Sequence, residues 1–273
     1  MATEFGGSAI ETTESPSGAL IAYAGSIVIK VHHERTDPTL LQTRLRVAAD
    51  MRLAQVLTGP VSTVVHLTPD GRSATIWPHL EVLHPTTMRP PWAAAGALLA
   101  MLHQVDHEPI LVLPSSRPLA RLERALGDVS SYGHAAPLLI QVGQAVMAEA
   151  STAPAEQRLV HGDWHLGQLG RRAGGAWRLI DLDDFGVGDP VWDLARPAGF
   201  WATGLLPDSA WDAFLTAYQG AGGPAVPSDG DPWPRLDLPA RAAVVAAACR
   251  AVKSPRVDEQ DIAEALLEAC RQM

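Results

Sequence analysis

Lysine is almost missing from this chain: of 21 basic residues only Lys30 and Lys253 are lysine, the rest being arginine. Cysteine is as sparse. Cys249 and Cys270 stand alone in 273 residues, too few for a disulfide scaffold, so reduced thiols are expected. There is no surplus of positive charge either. A formal net charge of −9 excludes the basic footprint of a dedicated nucleic-acid binder. The N-terminus lacks the basic-then-apolar pattern of a secretory signal, and no apolar run reaches membrane-spanning length. A cytoplasmic protein is therefore expected, with no nucleic acid, membrane or obligatory protein partner. What is present is 47% hydrophobic residues against 19% charged, enough for a sizeable core and unlike the composition of a disordered chain.

Against the arginine bias, Lys30 interrupts the apolar run Ile27-Val28-Ile29-Lys30-Val31. A compact ammonium that can point at phosphate oxygens is one reason to prefer lysine there. An edge-strand lysine that discourages sheet pairing is the other.

Short apolar runs at 10–13, 20–24 and 27–31 are separated by the turn sequences Ser15-Pro16-Ser17-Gly18 and Gly25-Ser26, which predicts a three-stranded antiparallel meander with Lys30 on its third strand. Helical spacing of Leu41, Leu45 and Ala48 predicts a helix over 39–57, and strands are expected at 61–67 and 73–77. Pro78, Pro85, Pro90 and Pro91 then mark a linker. Beyond it, segments 92–105, 119–126 and 137–150 read as helices, 158–160 and 177–180 as short strands, and helices resume near Val191, Ser209, Arg241 and Glu259. The Gly-, Pro- and Asp-rich stretch 220–239 is expected to be an exposed loop. This is an α+β organisation: a β-rich lobe over 1–77, a hinge over 78–91 and a mostly helical lobe over 92–273.

Two acidic motifs carry the chemistry. In His161-Gly162-Asp163-Trp164-His165-Leu166-Gly167-Gln168, a carboxylate follows a histidine and precedes a side-chain amide. In Ile180-Asp181-Leu182-Asp183-Asp184, acids end an apolar run. Phosphoryl transfer from a nucleotide needs one carboxylate to orient an acceptor hydroxyl, here Asp163, and oxygen ligands for magnesium, here Gln168 and Asp181. Asp183 is the reserve ligand. Asp184-Phe185-Gly186 spells a protein-kinase metal motif, but Asp181 is the acid that directly ends the strand. A second reading takes His161, Asp163 and His165 as a zinc hydrolase site; it leaves Lys30, Gln168 and Asp181 without a role.

Together with Gly188-Asp189-Pro190-Val191-Trp192-Asp193-Leu194-Ala195, these motifs resemble the aminoglycoside phosphotransferase family, which has a bilobal protein-kinase-like fold. The wording His165-Leu166-Gly167-Gln168 is similar to the catalytic loop of maltokinases and glucosamine kinases in that superfamily. The resemblance implies an ATP- or GTP-dependent, Mg²⁺-requiring kinase acting on a hydroxyl of a small molecule: an aminoglycoside-like antibiotic, an amino sugar or a sugar. It implies that Lys30 contacts the nucleotide phosphates, that Ser17 and Gly18 offer them backbone N–H groups, and that His79 or Leu80 binds the base at the hinge. His161 and Asp193 would support the catalytic loop. The family's lysine usually pairs with a glutamate on the following helix. Here 39–57 holds no Glu, and Asp50 is its one acid. Either Asp50 substitutes or Lys30 relies on Asp181 and phosphate. That departure motivates a third reading, a catalytically silent kinase-like protein that binds nucleotide or a partner.

Overall fold

The computed structural model describes residues 11–15, 18–83, 89–106, 113–127, 133–151, 156–253 and 260–273. Ser17 and Ile10 lie outside these residues. In chain order the elements begin with β1 (Glu11–Glu14), β2 (Leu20–Ala24), β3 (Ile27–Val31), α1 (Pro38–Ala48), β4 (His66–Leu67), β5 (Ser73–Pro78) and β6 (Glu81–Val82). Next come α2 (Trp92–Gln104), α3 (Ala120–Gly127), α4 (Ala136–Ala150), β7 (Arg158–Val160), β8 (Leu169–Arg171), β9 (Arg178–Leu179) and β10 (Gly186–Gly188). The chain ends with α5 (Ala195–Ala202), α6 (Asp208–Gly220), α7 (Trp233–Lys253) and α8 (Gln260–Arg271).

Two compact units arise, and neither is one continuous piece of chain. The first gathers 1–90, 105–114 and 166–186; the second gathers 91–104, 115–165 and 187–273. The segment that carries Gln168 and Asp181 thus belongs with the β-rich unit.

The first unit is built on a five-stranded antiparallel sheet in the order β1-β2-β3-β5-β4. Side chains alternate across a strand. On β3 this turns Ile27, Ile29 and Val31 into an apolar cluster with Ala24, Ala74 and Ile76, and leaves Val28 and Lys30 on the opposite face. A smaller sheet, β6-β8-β9, carries the segment before Asp181.

Two expectations need correction here. The helix expected to reach residue 57 stops at Ala48, because the Asp50 side chain accepts from the Arg52 N–H and starts a separate 3₁₀ turn, Met51–Leu53. Both of its ends are thus marked by aspartate: at the start, Asp37 caps α1 by accepting from Thr39 and Leu40 N–H groups, an arrangement with Pro38 in the first turn that favours initiation. The strand expected over 61–67 shrinks to His66–Leu67. The Gln42 amide intercepts it, donating to the Thr63 carbonyl and accepting from the Val65 N–H, so a side chain takes the backbone groups a ladder would have used.

The second unit is helical. Leu139, Val146, Val245, Ala248 and Leu266 form the centre of a cluster among α3, α4, α7 and α8. Full burial of each larger side chain contributes about 1.5–3 kcal/mol. Stretch 220–239, expected to be loop, contributes the first turns of α7, with Pro239 inside the helix. Asp231 accepts from the Trp233 N–H at 3.0 Å, and burial of Leu236 and Ala240 outweighs the hydrogen bond that proline cannot make. Cys249 and Cys270 are free and buried; burial pushes both thiols up to about 11, which makes them inert at neutral pH. Among the described residues no helix is long and apolar enough to cross a membrane.

Candidate active site

In the first unit, Lys30 is the centre of an ionic cluster. Its Nζ lies 2.6 Å from Asp181 Oδ1 and 2.8 Å from Asp183 Oδ2. Burial would lower the ammonium pKa, but Asp183 and then Asp181 outweigh it and hold it above the usual lysine value. Burial alone would likewise raise the Asp183 carboxyl, yet His32 and Lys30 keep it well below the usual carboxylate range. His32 completes the group: its Nδ1 sits 3.5 Å from Asp183 Oδ1, while Nε2 meets the Thr75 hydroxyl at 2.9 Å. Sequence reasoning missed His32; its only signal was a position two residues from Lys30, hence on the same sheet face.

Asp181 is the one described non-glycine residue in the left-handed backbone region, at φ 61°. Aspartate tolerates this conformation better than most residues, at a cost of order 1–3 kcal/mol. Its side chain remains 37% exposed, so one carboxylate oxygen can accept a further ligand while the other holds Lys30. Asp184 is exposed and Phe185 is fully buried, with its carbonyl accepting from Arg44 Nε at 2.9 Å.

Lys30, Asp181, Asp183 and Gln168 share a cavity of about 210 Å³ with Ile21, Tyr23, Val28, Trp77, Leu80 and Ile180. Its walls are apolar and its polar groups sit together, the usual composition of a small-molecule site. Oxygen donors from Gln168 and Asp181 suit a hard divalent cation such as Mg²⁺.

Three of the expected roles meet different surroundings. Asp50 is engaged by Arg52, with Nη2 2.6 Å from Oδ2, whereas Asp183 is the second carboxylate beside Lys30. Gly18, at φ 80°, closes a turn in which its N–H donates to the Ser15 carbonyl at 2.9 Å, which directs that amide inward rather than toward a phosphate. The His79 N–H donates to the Ser26 carbonyl at 2.8 Å, so that amide is already used within the first unit.

The second unit holds the catalytic-loop motif. Asp193, 2% exposed, accepts from the His161 N–H at 2.7 Å and the Gly162 N–H at 2.9 Å. Its Oδ2 also lies 3.0 Å from His103 Nε2. His103 Nδ1 in turn meets the Tyr218 hydroxyl at 2.8 Å, and that hydroxyl accepts from the Ala225 N–H. The tautomer satisfying both neighbours donates from Nε2 to Asp193 and accepts from Tyr218 at Nδ1. Burial would raise the Asp193 carboxyl, but His103 and the His161 N–H hold it below the usual range. Gly162 adopts φ 81°, and the loop so fixed presents Asp163. Asp163 is ion-paired with Arg121 and with Arg196, the latter at 3.3 Å. Neither arginine was singled out by sequence reasoning, because neither lies in a motif. Among the described residues no group of three or more His, Cys, Asp or Glu is arranged to hold a metal.

The Lys30 cluster thus lies in the first unit and the Asp163 loop in the second. Residues 19–238 match the model of the phosphotransferase enzyme family, APH, and the chain belongs to that family, a small-molecule kinase of protein-kinase-like fold. Its structure is similar to a choline/ethanolamine kinase family protein from Mesorhizobium loti, with TM-score 0.66 and 18% identity over 97% of this chain and 87% of that one. It is also similar to macrolide 2'-phosphotransferase MphH from Brachybacterium faecium, with TM-score 0.54 and 21% identity over 97% and 95%. A third is amicoumacin kinase hAmiN, in complex with AMP-PNP, Ca²⁺ and Ami, with TM-score 0.67 and 14% identity over 96% and 88%. No curated protein sequence matches the chain.

Proposed function

We propose that this protein transfers the γ-phosphoryl group of ATP or GTP to a hydroxyl of a small molecule. The observation that carries the reading is Lys30, the lone lysine of the sheet, ion-paired to Asp181 and Asp183 on the wall of an apolar cavity. Lys30 engages phosphate oxygens, the apolar walls take the base, and the Leu80 N–H hydrogen-bonds it. Asp181 and Gln168 hold Mg²⁺, which neutralises phosphate charge when bound. Structures similar to this one contain AMP-PNP with Ca²⁺, or ADP, which supports a nucleotide and a divalent cation here.

Asp163 orients the acceptor hydroxyl and takes its proton. The hydroxyl oxygen forms the new P–O bond while the bond from phosphorus to the departing nucleoside diphosphate breaks. Asp193 and His161 act at one remove, by holding the loop in which Asp163 sits. Most of the rate arises from positioning and charge neutralisation rather than from covalent chemistry.

The pairing of Asp163 with two arginines favours one competing reading, a silent kinase-like binder whose base is permanently neutralised. One assay decides. Phosphate transfer from ATP and GTP is followed by ³¹P NMR across a broad panel of hydroxylated metabolites, with wild type and Asp163→Ala. Transfer abolished in Asp163→Ala, with nucleotide affinity largely kept, supports the kinase. Full activity in Asp163→Ala removes this residue from the mechanism, and silence of the wild type across the panel favours the binder.

A further inference from the structure

Beside Asp163 lies a second cavity, of about 80 Å³, formed wholly within the helical unit. Its charged lining is unequal. Arg121 comes from α3, Arg196 from α5 and Arg250 from α7, against Asp163 and Asp193 as the carboxylates. Asp193 is already committed to His103 and to two backbone N–H groups. Asp163 alone therefore faces three guanidinium groups, two of which it pairs with. Among the described residues, Arg250 pairs with no carboxylate.

Gathering like charges in a partly enclosed space is unfavourable unless something compensates. Burial, then Arg250 and Arg121, push the Arg196 guanidinium down to about 9. Burial and Arg121 lower Arg250 as well; although this residue is exposed overall, its charged end lies within reach of both neighbours. A further donor is present in the same lining: the indole N–H of Trp164 is buried without a hydrogen-bond partner, in a residue only 3% exposed. The lining thus sets three guanidinium groups and this indole against Asp163 and the committed Asp193.

We propose that this cavity receives the anionic group of an acidic, hydroxylated acceptor, held by Arg121, Arg196 and Arg250. The proposal rests on the kinase reading for the reaction, while the charge preference rests on the cavity itself. A carboxylate or a phosphate ester accepts the planar fork of a guanidinium equally well, whereas a polycation such as an aminoglycoside meets repulsion. The volume is below the range that encloses a whole drug-sized ligand, so it suits one compact charged group. Binding there also has a catalytic consequence. An anion competes with Asp163 for Arg121 and Arg196, and so releases the Asp163 carboxylate to take the hydroxyl proton. The acceptor's own charge completes the base.

The test uses the full chain saturated with MgADP, which blocks the nucleotide cavity, at constant ionic strength. Tryptophan fluorescence is titrated with glycerate, glycerol 3-phosphate, glycerol and choline; Trp164 and Trp192 line the cavity. At least one of the two acids is expected to give a saturable response with affinity on the order of tenfold or more above glycerol and choline, and which acid it is separates a carboxylate from a phosphate site. Arg196→Gln and Arg250→Gln should each weaken that acid by about tenfold or more, with MgADP affinity kept within about twofold, while Arg250→Lys, which preserves the charge, loses far less. The proposal is overturned by acids that respond no more than matched sodium chloride, by choline binding as tightly as the acids, or by glutamine variants with wild-type affinity. Acid binding with no phosphoryl transfer to any acceptor sinks the kinase reading and leaves this one standing; transfer to choline without acid binding does the reverse.

Discussion

Replacing Asp193 with asparagine isolates what holds the catalytic loop. The carboxylate accepts three hydrogen bonds while 2% exposed: His103 Nε2 and the His161 N–H on Oδ2, the Gly162 N–H on Oδ1. An asparagine oxygen placed at the Oδ2 position keeps the first two without charge assistance. Its NH₂ then faces the Gly162 N–H, donor against donor. One buried unsatisfied amide costs about 1–3 kcal/mol, and loss of charge assistance adds about 0.5–1 kcal/mol for each surviving bond. A total of about 2–5 kcal/mol is a large share of the roughly 5–15 kcal/mol that typically separates folded from unfolded protein. At about 2–4 °C per kcal/mol for chains near this size, Tm should fall by roughly 4–20 °C in a calorimetric scan. The His161 and Gly162 amides should also exchange hydrogen faster in the variant. The pH dependence has a definite sign. The folded Asp193 pKa is depressed, so its contribution is present above the unfolded value near about 4 and is lost as pH falls through the folded one. Wild type should therefore lose stability on acidification below about pH 4, and Asp193→Asn should show a flatter acid limb. A variant melting within about 1 °C of wild type, with unchanged amide exchange, would refute the accounting, since a buried donor cannot lose its acceptor without a cost.

Three further outcomes follow from the same geometry. Gly96→Ala on α2 would place a Cβ 2.1 Å from the Phe214 carbonyl oxygen on α6; a loss of about 3 kcal/mol or more in urea unfolding is expected, beyond ordinary overpacking, and a neutral result would mean the helices pack less closely than described. Asp50→Ala removes the partly exposed pair with Arg52 and the cap on the Arg52 N–H; it should lower stability by about 0.5–2 kcal/mol while leaving nucleotide affinity within about twofold of wild type, and a tenfold loss of affinity would point to Asp50 as the lysine's partner. Asp181→Asn keeps a residue that tolerates φ 61° and should retain the fold while weakening Mg²⁺-dependent nucleotide binding by about tenfold or more; undiminished binding in magnesium titrations would transfer the ligand role to Asp183.

Legibility in the sequence differed by kind of feature. The β2–β3 meander, α2, α4 and β7 were readable from periodicity and turn residues, because each is fixed by near neighbours along the chain. The helix expected to continue to 57 failed at Asp50, where a side chain competed with the backbone for the Arg52 N–H. Strand 61–67 failed because a distant amide, Gln42, took its hydrogen bonds. The first turns of α7 were hidden by proline and aspartate that usually mark loops, although Leu236 and Ala240 are buried. In the candidate site, Lys30 and Asp181 were named from their strand positions. Asp183 was held in reserve and His32 went unnoticed, because the weight of each depends on contacts across the fold.

The chain by itself determined its family and the residue types of its chemistry: a lysine on a strand, an aspartate in a tight loop, and acids ending a strand, each encoded within a few consecutive residues. Tertiary structure decided which acid serves Lys30, what braces the Asp163 loop, and the sign of the charge around Asp163. Arg121, Arg196 and Arg250 carry no local signature and lie on three separate helices. Charge at a site is a sum over space, and only packing decides which residues enter that sum.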